Sequence, residues 1–214
     1  MSKNKDSLSY LLIANGDVTP DLIAKAALSS IDKIIATDGA ATKALACGVT
    51  PDVVIGDFDS LPGGFKEEHG EINFLHRPSQ EVNDLEKALQ YCENENAQKV
   101  TLIGVTGDRI DHTMNNFSVL AKYDEKFQFR IYCQHAQIYF VRKKLARVVR
   151  IGQTISLIPL GRVEGINTEG LEFPLNNEVL AFGEREGAGN RAIAGTFQVV
   201  VQSGILLVFV NDPN

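Results

Sequence analysis

Asp52-Val53-Val54-Ile55-Gly56-Asp57-Phe58-Asp59-Ser60 is the stretch on which the fold turns. Its β-branched run stops at Gly56 and hands over to two carboxylates one residue apart, the pattern of a buried parallel strand that ends in a polar loop. Acid therefore stands at a strand's carboxyl end. In open α/β sheets ligands sit in the crevice outside those ends, and paired carboxylate oxygens suit a hard cation such as Mg2+. The same D-x-D also serves as a turn cap, since aspartate bonds its own nearby backbone. Taken alone, the motif does not choose between the two.

On the amino-terminal side, residues 10–14 read as a strand, with Asn15-Gly16-Asp17 as the turn after it. Thr19-Pro20 then opens a helix, proline at its first position and Leu22, Ile23 and Ala26 at helical spacing. A second strand over 33–36 ends in Thr37-Asp38-Gly39-Ala40, and a helix through 41–46 stops at Gly48. On the carboxyl side, Pro62-Gly63-Gly64 marks a turn and 71–75 a strand. Asn83 stands where an N-cap belongs, before a helix over 84–92 whose Leu85, Ala88, Leu89 and Cys92 make one apolar stripe. A strand over 99–104 closes in Val105-Thr106-Gly107-Asp108-Arg109-Ile110-Asp111-His112. A further helix runs to about residue 122, and 128–133 is a strand.

Strands and helices alternating at this interval define an α/β fold, an open and mostly parallel sheet with helices on both faces. Parallel strands share a direction, so Asp38, Asp57, Asp59 and Asp111 fall on one edge, and Asp84 reaches that edge from a helix amino terminus. Four independent caps are the alternative.

From about residue 137 the helical period disappears. Short β-rich runs over 153–160, 171–175, 195–202 and 205–210 take over, separated by Gly, Pro and Asn. The last two are joined by Ser203-Gly204, a hairpin signal. A small all-β sandwich or barrel follows, and the chain divides into residues 1–136 and 137–214. The cluster Arg142, Lys143, Lys144, Arg147 and Arg150 at its entry reads as a charged, solvated edge strand.

Composition narrows the function classes. The chain has 214 residues, 44% hydrophobic and 22% charged, enough to bury a real core, and a formal charge of −6. That balance argues against a nucleic-acid or membrane-surface partner, which needs a basic face. Cys47, Cys92 and Cys133 are odd in number and far apart, so neither a disulfide framework nor a zinc site is indicated, and a reducing cytoplasm is expected. The first apolar run is too short for a signal sequence or a membrane span. No G-x-x-x-x-G-K-[ST] occurs, which sets P-loop enzymes aside.

Taken together, Asn15-Gly16, Asp38-Gly39-Ala40, Gly56-Asp57-Phe58-Asp59-Ser60, Asn83-Asp84-Leu85-Glu86-Lys87-Ala88-Leu89 and Gly104-Val105-Thr106-Gly107-Asp108-Arg109-Ile110-Asp111-His112-Thr113 resemble the thiamine diphosphokinase (thiamin pyrophosphokinase) family. Ile155-Ser156-Leu157-Ile158-Pro159-Leu160 and Gly170-Leu171-Glu172-Phe173-Pro174-Leu175 extend the resemblance through the β-rich part. It implies transfer of diphosphate from ATP to the hydroxyl of thiamine, giving thiamine diphosphate and AMP, with Mg2+. It also implies an ATP-binding catalytic domain followed by a thiamine-binding one, and a homodimer with thiamine near the subunit interface.

On that resemblance Asp57, Asp59 and Asp84 are the expected metal ligands, with Asp111 next. Arg109 offers a fixed fork of donors to phosphate oxygens. Asn15, Gly16, Asp38, Gly39, Thr106 and Gly107 are expected on the nucleotide, the two glycine turns letting backbone N–H groups approach phosphate. His112 either orients phosphate or caps the helix that begins there. Gln80, Asp84 and Asn190 are expected on the substrate. The chain departs from the family pattern with Ser79 and Asn83 in place of Asp and Thr, Asp108 in place of Gly, and Gly187-Ala188-Gly189-Asn190 in place of S-x-S-N. The last change leaves open a diphosphokinase acting on another alcohol, such as a hydroxymethylpterin. A nucleotide- or thiamine-binding sensor without turnover is the other alternative.

Overall fold

The computed structural model describes residues 7–26, 31–79 and 81–212. Two compact units part between Gln134 and His135. In the first the order is β1 (Ser9–Ile13), α1 (Pro20–Ala26), β2 (Lys33–Thr37), α2 (Asp38–Ala46), β3 (Val53–Gly56), α3 (Phe65–Glu68), β4 (Asn73–His76), α4 (Asp84–Asn94), β5 (Lys99–Ile103), α5 (Ile110–Tyr123) and β6 (Gln128–Cys133).

Every strand pair of this unit is parallel, and the spatial order is β4-β3-β2-β1-β5-β6. The chain steps outward from β1 to β4, then returns to the other side of β1 with β5. The order reverses between β1 and β5, where open α/β sheets leave a crevice for ligand. The contiguous apolar strands of the sequence are explained by burial on both faces: all five residues of β1 and all four of β3 are buried. Leu11 and Ile13 pack against Leu22 and Ala26 of α1 and against Ala40, Ala41 and Ala44 of α2. α4 packs on β2 and β3, burying Leu85, Ala88, Leu89 and Cys92. Each fully buried leucine of this kind contributes about 1.5–3 kcal/mol. The Asn83 side chain caps α4 as expected, accepting the Glu86 N–H at 2.9 Å. α3 has no counterpart in the sequence reading.

The second unit is β-rich: β7 (Ala136–Val141), β8 (Lys144–Val148), β9 (Thr154–Glu169), β10 (Glu178–Ala181), β11 (Gly187–Arg191), β12 (Thr196–Val200) and β13 (Ser203–Asn211). Its spine is the sixteen-residue β9, which pairs antiparallel with β10, β11, β12 and β13. β13 also pairs with β7, and β12 with β8. Leu157, Val163, Leu180, Phe197, Leu206 and Val208 belong to its core. β8 lies at the end of the strand order, with Lys144 and Arg147 exposed, so two of the five basic residues sit on an edge strand, and Arg142, Lys143 and Arg150 flank it.

Two expectations are corrected here. The runs joined by Ser203-Gly204 do not form a hairpin: β12 pairs with β8 and the distal end of β9, and β13 with β7 and the rest of β9. Gly204 carries the chain past β9, where a Cβ would stand 2.5 Å from the Arg162 carbonyl oxygen, with φ at +92°. The link is held by Val201 N–H to Lys143 O at 2.8 Å and Gln202 N–H to Glu164 O at 3.0 Å. The expected strand over 171–175 reduces to a single bridge, Leu171 to Ala192. No helix among the described residues is long and apolar enough to cross a membrane.

Candidate active site

The floor of the crevice is two loops zipped together. β1 ends in Ala14-Asn15-Gly16 and β5 in Gly104-Val105-Thr106. Ala14 N–H donates to Ile103 O at 2.9 Å, Gly16 N–H to Gly104 O at 2.7 Å and Asp17 N–H to Thr106 O at 2.7 Å. Glycine is forced at 16 and 104 by this approach: a Cβ at 16 would meet Thr106 O at 2.0 Å, and one at 104 would meet Ala14 O at 2.1 Å. The Gly16 N–H is therefore committed within the protein. Its expected role as a phosphate donor gives way to one of shaping the floor.

Lys43 of α2 tightens the same place. Its Nζ donates to the carbonyls of Asn15 and Gly16 at 2.7 and 2.9 Å. Asn116 of α5 holds the opposite loop, its Nδ2 donating to Val105 O at 2.9 Å. The sequence reading passed over both, because only the sheet order brings a mid-helix lysine beside a turn 28 residues earlier.

The acidic group stands at the ends of β2 and β3. Asp38, the first residue of α2, is 3% exposed. Its carboxylate accepts the N–H of Gly39 at 2.6 Å and of Phe58 at 3.0 Å. One carboxylate oxygen each from Asp38, Asp57 and Asp59 lie within 4.8 Å of one another. The loop that brings them there is held by Phe58, which sits at φ 70°, unusual for a residue with a bulky side chain. The Phe58 ring packs edge-on to Phe74 and stacks on His76, and Lys66 Nζ lies 3.7 Å over it.

Burial, and then the neighbouring Asp84 and Asp57 charges, push the Asp38 carboxyl above the ordinary aspartate range, against the pull of its two N–H donors. Asp84, expected as a third metal ligand, faces the crevice but is already bonded to Lys87 Nζ at 2.8 Å. Asp38, expected on the nucleotide, is the residue that joins Asp57 and Asp59.

A cleft of about 460 Å3 opens over the floor, lined in part by Asn15, Gly16, Asp38, Asp84, Thr106, Gly107, Arg109 and His112. Gly39 lies behind Asn15: a Cβ there would fall 2.1 Å from Asn15 Nδ2. Asp111 is not in the lining. It holds Arg109 by a two-pronged pair, Nε to Oδ1 at 2.9 Å and Nη2 to Oδ2 at 2.5 Å, which keeps the Asp111 carboxyl well below the usual carboxylate range. Gln80 lies outside the described residues. Asn190 belongs to the second unit, and its amide is spent on backbone: Oδ1 accepts from Phe173 N–H and Arg191 N–H, and Nδ2 donates to Phe173 O.

The fold and the cleft define the class: a parallel α/β unit with an acidic, cation-flanked crevice at its switch point, joined to a β-rich unit. Residues 24–133 match the family described as thiamin pyrophosphokinase, catalytic domain, and residues 141–206 match thiamin pyrophosphokinase, vitamin B1 binding domain. The chain belongs to the thiamin pyrophosphokinase family, and it is an enzyme that makes thiamine diphosphate at the expense of ATP.

Thiamin pyrophosphokinase 1 of Caenorhabditis elegans is 25% identical over 197 residues, covering 82% of this chain and 76% of that one. Thiamine pyrophosphokinase of Bacillus subtilis is 25% identical over 183 residues, covering 81% and 85%. The crystal structure of thiamin pyrophosphokinase from Geobacillus thermodenitrificans superposes with a TM-score of 0.82 at 22% identity, over 97% of this chain and 99% of that one. Thiamin pyrophosphokinase from Candida albicans gives 0.82 at 18%, over 97% and 90%. These structures share the fold.

Proposed function

We propose that diphosphate transfer takes place at this cleft, with residues 1–136 as the catalytic, ATP-binding domain and residues 137–214 as the thiamine-binding domain. The observation that carries the reading is the group of three carboxylates, Asp38, Asp57 and Asp59, whose member Asp38 lines a crevice together with Lys43 and Arg109. Hard oxygen donors in that number fit Mg2+. Asp57 and Asp59 would hold it, with Asp38 of the same group beside them and Asp84 as a further carboxylate lining the cleft. Bound Mg2+ supplies charge neutralisation and polarises phosphoryl oxygens.

Moving a diphosphate asks the protein for position and charge more than for covalent participation. Lys43 and Arg109 offer the polyphosphate cationic donors; Asp111 takes Nε and Nη2 of Arg109, leaving Nη1 for a phosphate oxygen and holding the guanidinium so that less side-chain freedom is lost on binding. His112 is exposed and lines the cleft, which supports a role in orienting a phosphate. Thr106 and Gly107 bound the same side.

The active form is a homodimer in the cytoplasm; the exposed Phe173, Phe182 and Ile193 on the second unit support the dimer, and three widely spaced cysteines fit a reducing compartment. Light scattering of the purified chain tests the dimer. The activity itself is tested by incubating the protein with ATP, Mg2+ and thiamine: AMP and thiamine diphosphate are expected together. ADP as the nucleotide product overturns the reading.

A further inference from the structure

Thr37 closes β2 and stands at the N-cap of α2, with φ −68° and ψ 158°. A threonine hydroxyl in that position ordinarily accepts an N–H from the first helical turn. Here it makes no such bond. The Asp38 carboxylate takes the Gly39 N–H instead. Thr37 Oγ1 is buried and, among the described residues, is the one buried side-chain polar atom without a hydrogen-bond partner. Leaving a hydroxyl in that state costs stability, and native proteins keep few of them.

The residue is 2% exposed, yet it belongs to the lining of the cleft. No hydrogen bond holds its hydroxyl in the wall, so turning it toward a bound group breaks no hydrogen bond within the protein. The surroundings select the chemistry of that group. Asp38 already occupies the amino-terminal end of α2, and Asp38 and Asp84 line the cleft, so it is Lys43 and Arg109 in the same lining that favour an anion, and a phosphate oxygen accepts but cannot donate.

We propose that Thr37 is a nucleotide-binding residue, its hydroxyl donating a hydrogen bond to a phosphate oxygen of ATP in the cleft. This rests on the reading of the cleft as the ATP site. The test is ATP binding by calorimetry, with and without Mg2+, for wild type, Thr37→Val and Thr37→Ser, alongside thermal melts of the free proteins. The valine variant keeps the shape and removes the unpaired hydroxyl, so its free form melts at or above the wild-type temperature.

Its ATP affinity falls about tenfold or more, with and without Mg2+, the size expected for losing a bond to a charged group. Serine restores most of it. In turnover the valine variant raises KM for ATP and leaves KM for thiamine unchanged. Wild-type ATP binding by Thr37→Val overturns the proposal, as does a loss confined to Mg2+-containing samples. A wild-type protein that fails to bind ATP overturns the cleft reading and this proposal together.

Discussion

Gly56 lacks a side chain because Asp38 occupies the place where one would go: a Cβ at 56 would lie 2.6 Å from Asp38 Cγ. The relationship follows from the sheet. Thr37 and Ile55 are register partners across β2 and β3, so the next residue of each strand meets its counterpart side by side. Gly56→Ala forces the Asp38 carboxyl away from Phe58 N–H and from Asp57. We expect a loss of about 1–3 kcal/mol in stability and a fall in kcat of tenfold or more, read by chemical denaturation and by AMP release. An alanine variant of normal rate would show that the position of Asp38 is immaterial.

Asp59 is exposed and makes only local bonds, to Ser60 Oγ at 2.9 Å among them. Asp59→Asn therefore keeps the fold and its melting temperature within a degree or two, while turnover is abolished and Mg2+ dependence shifts to higher concentration. Near-normal activity at ordinary Mg2+ would remove the residue from the metal site. Chelation of the wild type by EDTA should stop the reaction and be reversed by added Mg2+.

Lys43→Met removes both carbonyl contacts of the ammonium and the charge itself. KM for ATP should rise about tenfold, the size of a lost hydrogen bond to a charged group, and KM for thiamine should not move. Equal effects on both substrates would point to collapse of the floor instead.

Asn190 is 6% exposed and all three of its contacts go to backbone. Asn190→Ala should cost about 2–3 kcal/mol, because two N–H groups and one carbonyl lose their partner. Unchanged stability together with a raised KM for thiamine would return Asn190 to the substrate site.

Asp111 titrates below the usual carboxylate range because Arg109 grips it. A folded pKa lowered in this way means that the pair's contribution is present above the unfolded-state value and fades as pH falls toward the folded one. Across the neutral range the pair stays ionised, so Asp111 does not shape the pH–rate profile there. NMR titration of its carboxyl should show the depressed value, and Arg109→Gln should return it to that of an ordinary aspartate.

The α/β unit was legible because buried parallel strands are contiguous apolar runs, as in Val53-Val54-Ile55, and because Asn83 announces its helix with a local cap. The partition of the acids was not legible. Asp38 is 19 residues from Asp57, and only the register of β2 against β3 joins them. Lys43 and Thr37 escaped for the same reason, since neither carries a motif of its own. In the second unit, β10 and β11 lack an alternating apolar pattern, and the Ser203-Gly204 turn was read locally while the length of β9 decided the pairing. Asn190 was assigned from its place in a motif, and its bonds to the backbone of Phe173 and Arg191 carry no signal in the sequence.

The floor of the crevice has a thermodynamic consequence. Its loops are already fastened to each other by three backbone bonds, and its glycines are set where only glycine fits. If the cleft is the ATP site as proposed, an arriving nucleotide would meet a surface whose conformational freedom was surrendered when the chain folded, so little entropy would be lost in ordering a loop. Association at this edge should resemble docking onto a rigid template, with a heat-capacity change set by the ligand's own contact area.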